Sequence, residues 1–204
     1  FRTGAKTAKR LLSERGFLIM ALVAGLIQSG MFAFITGSSG VFQGIFGLSS
    51  IGFGLMFAAI ATALIIFGRI NGMLLNHYSP EQILTAVLPL FFAATLVLAL
   101  LSQTSSLLVF AIPLWISIGC VGLLSANAMS IAMSLTEKGA GMGSALLGAI
   151  QFALAFAVST SVAIGGADTA LPMSLGLVVP AGLATVLFFV AGRFTVPSSP
   201  RLTS

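Results

Sequence analysis

Charged side chains are scarce in this sequence: Asp, Glu, Lys and Arg together make up 6% of the 204 residues, whereas hydrophobic residues make up 58%. Soluble globular domains carry about 25% charged residues. The composition therefore excludes that class and indicates an integral membrane protein, with the lipid bilayer as its partner. One His and one Cys are too few for a metal site of the usual type, and no nucleophile is paired with a base. The sequence predicts neither an enzyme nor a bound cofactor.

Acidic residues are missing from the apolar segments. The four in the chain, Glu14, Glu81, Glu137 and Asp168, lie at segment ends or in connections. A proton-coupled transporter usually needs a titratable group within the membrane, so any proton-carrying residue must belong to another segment. The chain also begins at Phe1 with a basic, weakly apolar stretch and no Met. We expect it to be a piece of a longer polypeptide.

Basic residues outnumber acidic ones and give a net charge of +5. They lie between apolar blocks and not along one face, so they do not form a phosphate-binding patch, and no nucleic-acid partner is predicted. With six spans and a cytoplasmic start, all of them fall at cytoplasmic ends, as the positive-inside rule requires. This distribution predicts six spans with both termini in the cytoplasm. The basic residues are Arg2, Lys6, Lys9, Arg10, Arg15, Arg69, Lys138, Arg193 and Arg201.

Six apolar segments of about 20 residues or more are long enough to cross the hydrocarbon core as helices, whereas strands of a membrane barrel need only about 9–11 residues. The predicted fold class is all-α, a polytopic membrane helix bundle. Residues 1–16 are predicted to be a basic cytoplasmic linker, 17–196 the six-helix transmembrane bundle, and 197–204 a cytoplasmic tail. The predicted spans lie near Phe17–Ile35, Ile51–Ile70, Gln82–Leu101, Leu107–Ser134, Ala140–Ile164 and Leu171–Gly192.

Glycine and proline mark the places where regular structure is expected to change. The segment Thr36–Ser50 is uncharged and contains Gly37, Gly40, Gly44 and Gly47, so we expect irregular backbone there. Pro89 lies inside the third predicted span, which it is expected to kink.

The stretch Gly139–Phe156 has the most distinctive pattern in the chain. Gly139, Gly141 and Gly143 open it at alternate positions, and an apolar segment with Gln151 as its most polar side chain follows. In a helix, residues three or four apart share one face, which here gathers Ser144, Gly148, Gln151, Ala155 and Ser159. Such a stripe either packs tightly against another helix or lines a cavity. The pattern leaves both roles open.

Three carboxamides, Gln28, Asn127 and Gln151, lie inside the predicted spans. An unpaired amide in hydrocarbon is costly, so each of them either binds another helix or faces water. Phe32 lies one helical turn after Gln28, and Phe152 follows Gln151. Amides beside phenyl rings suit a bulky, partly apolar ligand, and helix-to-helix bonding remains the alternative for each amide.

Arg69 lies inside the second predicted span, close to its cytoplasmic end. A long Arg side chain at that depth can reach the membrane interface along its own apolar stem. Its alternative role is that of a gate residue, which pairs with a charge or a helix end on the cytoplasmic face.

Several blocks of the sequence are similar to one family of membrane proteins. Gly141–Phe152, GMGSALLGAIQF, resembles the signature G-x-x-SALLG-x-x-QF, and this block is quite specific. Further similar blocks are Leu11–Phe17, Gly30–Ile35, Val41–Gln43, Phe46–Ser49 and Gly52–Ala58 with the Asn71 that ends the second span. On these residues the chain resembles, over nearly its whole length, the C-terminal six-helix half of the Bcr/CflA drug:proton antiporters of the major facilitator superfamily.

The resemblance implies a bacterial inner-membrane protein that exports small antimicrobials against inward proton flow, by rocking of two six-helix bundles. It implies that the first, second, fourth and fifth spans line the cavity, while the third and sixth face lipid. The partners would be a small amphipathic drug-like substrate, protons and the N-terminal six-helix half, which would supply the proton-carrying carboxylate.

Residue roles follow from the same resemblance. The substrate cavity would be lined by Gln28, Phe32, Asn127, Gln151 and Phe152. The cytoplasmic gate or latch would contain Arg69, Gly139, Gly141 and Gly143. Two other functions stay open: a metabolite importer or facilitator on the same fold, because a fold does not determine a function, and a membrane scaffold that transports nothing.

Overall fold

A computed structural model of the protein describes residues 8, 10–136 and 139–191. It contains six helices that are long and apolar enough to cross a membrane, and no strand occurs among the described residues. The predicted all-α, six-span bundle is confirmed. The helices are α1 (Arg15–Ser39), α2 (Ser50–Leu74), α3 (Pro80–Leu100), α4 (Leu107–Ser134), α5 (Ala140–Ile164) and α6 (Leu171–Val190). Half of the predicted linker 1–16, the pair Glu137–Lys138, residues 192–196 of the predicted bundle and the whole tail 197–204 lie outside the described residues.

The first helix extends well beyond its predicted end. Where irregular backbone was expected, α1 continues to Ser39 and then into a π-helical segment, Gly40–Ile45. Two of the four glycines there permit close packing and do not break the helix. A Cβ added to Gly37 would lie 2.6 Å from Met173 Cβ, and one added to Gly40 would lie 2.6 Å from Ala167 Cβ. The turn comes only at Gly47, whose φ of +67° is left-handed and suits glycine.

Helix α1 lies at the centre of the bundle and packs against α4, α5 and α6. Helix α4 packs against α1, α2 and α3, while α3 also contacts α6. We call the end at which α1 begins the proximal end and the other the distal end. One hydrophobic cluster, which includes Phe17, Leu84 and Phe91, fills the proximal half. Another, which includes Phe34 and Phe110, fills the distal half.

Helices α2 and α5 are the most exposed of the six. Ile51, Leu55 and Ile65 of α2 are each more than 60% exposed, as are Phe152 and Phe156 of α5. Apolar side chains on a membrane helix face lipid or another helix. These two helices therefore present surfaces that the described residues do not cover.

Helix α2 is held mainly by α4. A Cβ added to Gly119 would lie 2.5 Å from the ring of Phe67, so the two helices approach closely there. Nearer the distal end, Trp115 Nε1 donates to Ala59 O at 3.2 Å and to Thr62 Oγ1 at 3.3 Å. Small residues and interhelical hydrogen bonds are the features that join helices in membranes, and both occur in this contact.

Candidate functional site

The closest approach of α1 to α5 occurs at Gly25. A Cβ added there would lie 2.7 Å from Leu154 Cδ1 and 3.4 Å from Gln151 Cα. The absence of a side chain at Gly25 thus lets α5 lie against α1 with Gln151 beside the contact. Gln151 keeps part of its surface exposed, so this stripe of α5 both packs and presents an amide.

Gln28 lies on α1 one turn beyond Gly25. Ser125 Oγ of α4 donates to Gln28 Oε1 at 3.1 Å, which occupies the carbonyl oxygen of the amide. Gln28 Nε2 donates to no oxygen among the described residues. Every buried side-chain nitrogen and oxygen among those residues has a hydrogen-bond partner, so Nε2 is not one of the buried atoms. The Nε2 group of this partly exposed side chain is therefore at an accessible surface.

The same reasoning applies to the amide of Gln151. Neither its Oε1 nor its Nε2 has a hydrogen-bond partner in the part of the chain that the structure describes, and neither is a buried orphan. An amide with free donors and acceptors in an apolar bundle must face water, a ligand or another helix. Gln28 and Gln151 thus present unused hydrogen-bonding groups on adjacent helices.

Two phenylalanines complete this surface. The rings of Phe32 on α1 and Phe152 on α5 pack edge to face, with centroids 6.1 Å apart, an arrangement that aromatic pairs favour. The ring of Phe152 is still 67% exposed. We call Gln28, Phe32, Gln151 and Phe152 the α1–α5 face. The resemblance assigns these four, together with Asn127, to one cavity wall. In the structure the four lie on two helices that pack against each other.

Asn127 lies elsewhere, between α2 and α4. Its side chain is 1% exposed, and Nδ2 donates to Asn71 Oδ1 at 2.6 Å and to Leu123 O at 2.8 Å. Of the two roles that the sequence left open for this amide, the structure places it in the helix-to-helix one. The pairing with Asn71 joins residues 56 positions apart and could not be read from either segment alone.

Arg69 is exposed on α2, near the proximal end of the bundle. It has no ion pair or hydrogen bond within the described residues. Gly68 and Gly72 lie on either side of it, and a Cβ at either would meet nothing within 4 Å in the part of the chain that the structure describes. This part of α2 is therefore a shallow, positively charged surface.

The three glycines at the start of α5 have different environments: Gly139 directly precedes the helix, whereas Gly141 and Gly143 lie in its first turn. Gly139 has a φ of +131°, a conformation that side chains rarely permit. Gly143 is buried, and a Cβ there would lie 2.5 Å from Thr136 Cγ2. A Cβ at Gly141 would meet nothing within 4 Å among the described residues. Gly139 thus precedes α5 in a conformation that suits glycine, and Gly143 lets the first turn of α5 lie close to Thr136.

Other parts of the molecule present fewer polar groups that could bind a ligand. A cleft of about 460 Å³ lies between α5 and α6 in the distal half, with mostly apolar lining from residues such as Val158, Val162 and Leu175. The hydroxyl of Ser161 in this cleft donates to its own helix at Ala157 O. No group of three or more His, Cys, Asp and Glu that could hold a metal ion occurs among the described residues.

Comparison with known proteins shows which class of membrane protein this chain is similar to. The chain is 31% identical over 191 residues to an uncharacterized MFS-type transporter, YdgK, of Bacillus subtilis (strain 168), covering 92% of this chain and 46% of the relative. It is 29% identical over 164 residues to a bicyclomycin resistance protein homolog of Haemophilus influenzae, and this match covers 80% of the chain and 41% of the relative. It is 26% identical over 140 residues to a chloramphenicol resistance protein of Pseudomonas aeruginosa, and this match covers 68% of the chain and 32% of the relative. No family model matches the chain.

The homologues of this chain are therefore MFS-type transporters, which are not enzymes. Together with the six apolar helices, they make it a multi-pass protein of the bacterial inner membrane. The chain spans less than half the length of each of these curated relatives.

Proposed function

We propose that this chain forms the C-terminal half of a proton-coupled exporter of small drug-like molecules, of the Bcr/CflA type. The observation that carries the proposal is the α1–α5 face, where two amides with free polar atoms lie beside a pair of phenyl rings. Amphipathic ligands are commonly bound by an apolar surface with a few placed polar groups. The resistance names of two homologues support the same substrate class.

In this proposal Gln28, Phe32, Gln151 and Phe152 form the substrate wall. Asn127 contributes by holding α2 in place through its bond to Asn71, not by touching the substrate. The wall is uncharged, which favours neutral molecules that bind by hydrogen bonds and stacking.

The remaining half would cover the exposed faces of α2 and α5 and carry the proton-binding carboxylate. The homologues are more than twice as long as their matched regions, which leaves room for a bundle of similar size. Both termini of the chain would be cytoplasmic, so that Arg69 and the start of α5, with Gly139, Gly141 and Gly143, lie at the cytoplasmic gate. The open surface around Gly68 and Gly72 would let a helix of the other half approach closely.

The test is drug resistance of a sensitive bacterial strain that produces the full-length protein. Replacing Gln151→Leu removes both hydrogen-bonding groups and should lower the inhibitory concentration of bicyclomycin or chloramphenicol by about two- to tenfold, the range expected for a lost hydrogen bond. The matched control is Gln43→Leu, because Gln43 bonds only to Ser39 at the distal end of α1. Unchanged resistance to both drugs in the Gln151 variant, at equal protein levels, would remove this residue from the substrate wall.

Coupling is tested separately in vesicles. Collapse of the pH gradient should stop drug export by the wild-type protein. Drug or metabolite movement that continues without a gradient would instead support a facilitator on the same fold, and no movement at all would support a scaffold.

A further inference from the structure

Ser125 behaves differently from the other buried serines of the bundle. Ser29, Ser38, Ser117 and Ser174 each donate to a carbonyl three or four residues earlier in the chain, at 2.7–3.1 Å, as serines in helices usually do. Ser125 is 8% exposed and reaches from α4 to the amide of Gln28 on α1. The residues are 97 positions apart, and no motif in the sequence pointed to their pairing.

In the structure this bond leaves the nitrogen of the Gln28 amide for a ligand. A Gln amide has one acceptor oxygen and a nitrogen with two donors, and it can rotate to present either. With Oε1 bonded to Ser125 Oγ at 3.1 Å, the oxygen is directed toward α4 and Nε2 is left at the accessible surface. In an apolar environment such a bond is stronger than in water, so it holds the Gln28 amide in place, with Oε1 toward α4 as the structure shows.

We propose that Ser125 is a positioning residue for substrate binding, which holds Gln28 so that its N–H groups donate to an acceptor oxygen of the substrate. This inference rests on the proposed function, since it assumes that the α1–α5 face binds the transported molecule. The substrate class that it selects is a neutral molecule with a carbonyl, hydroxyl or nitro oxygen next to an apolar portion. Gln151, whose amide has no such partner within the described residues, is free to donate or accept.

The experiment measures chloramphenicol transport by the full-length protein in vesicles and separates KM from the maximal rate per protein molecule. Chloramphenicol is suitable because it is neutral and carries amide, hydroxyl and nitro oxygens. Ser125→Ala frees the Gln28 amide to rotate, so KM should rise by roughly three- to tenfold, the range of one hydrogen bond, with little change in the maximal rate. Ser125→Thr keeps the hydroxyl and should restore a KM near that of the wild type.

The matched control is Ser117→Ala on the same helix, because the Ser117 hydroxyl bonds only to Pro113 O. It should leave KM unchanged. Gln28→Leu should raise KM about as far as Ser125→Ala, and the double variant should be no worse than Gln28→Leu, since Ser125 acts through Gln28.

Two results would overturn the inference. If Ser125→Ala lowers the amount of folded protein and the maximal rate but leaves KM unchanged, Ser125 only joins two helices. If its effect adds to that of Gln28→Leu, it does not act through that amide. A wild-type protein that transports neither chloramphenicol nor bicyclomycin would instead overturn the proposed function, and with it the inference that depends on it.

Discussion

At the scale of single residues, some glycines of this bundle lie where helices leave no room for a side chain, and others lie at open surfaces. A Cβ added to Gly176 of α6 would lie 2.6 Å from Val162 Cγ2 on α5 and 2.8 Å from Ala33 Cβ on α1. Three helices thus meet at a point with no room for a methyl group. Gly54 of α2, in contrast, would meet nothing within 4 Å among the described residues. The sequence shows both as glycines in apolar segments, and only the packing distinguishes them.

Replacing Gly176→Ala is therefore expected to destabilise the protein by about 1–3 kcal/mol, as overpacking usually does. Ala33 Cβ has no rotamer that moves it away, so α6 itself must shift. Gly54→Ala is the control: it adds no contact within the described residues, and Ala favours a helix over Gly by about 1 kcal/mol, so its melting temperature should fall less than that of Gly176→Ala. Thermal unfolding of the full-length protein in detergent compares them. Equal melting temperatures for Gly176→Ala and wild type would show that the junction has spare room.

Among the elements, the attachment of α2 depends on a small number of contacts with α4. Near the proximal end, Asn127 Nδ2 donates to Asn71 Oδ1, and both side chains are less than 10% exposed. Replacing Asn127→Leu leaves the Asn71 amide buried without this partner and should cost about 1–2 kcal/mol. The measurement is the free energy of unfolding in mixed detergent.

The double variant Asn71→Leu, Asn127→Leu provides the control for this pair. It removes both polar groups, so it should recover much of the lost stability, because exchanging both partners of a buried bond for apolar groups is often nearly neutral. A double variant destabilised by the full sum of the two single changes would show that the amides act independently.

The sequence predicted these elements well and their pairings poorly, for a physical reason. Membrane insertion depends on the hydropathy of each segment, which is local, so α4 and α5 begin and end where predicted. Packing between helices is not local, and so the partners of Gln28 and Asn127 could not be derived. The predicted break after Ile35 was wrong because Gly37 and Gly40 make room for neighbouring residues, a use of glycine that a single segment cannot reveal.

For the whole molecule, the distribution of charge predicts how the bundle is oriented in the membrane. Positive charge stays on the cytoplasmic side. Arg69 lies in the last turns of α2, so the α2–α3 connection that follows it should be cytoplasmic and the α3–α4 connection should lie outside. His77 and Gln103 are exposed in these two connections. Cysteine at 103 should therefore react with a membrane-impermeant thiol reagent in intact spheroplasts, whereas cysteine at 77 should react only after the membrane is broken. The native Cys120 is fully buried, so the unsubstituted chain controls for background labelling of this half. Labelling of position 77 but not 103 in intact cells would invert the bundle, placing Arg69 and the turn before α5 at the outer face and removing both from the proposed cytoplasmic gate.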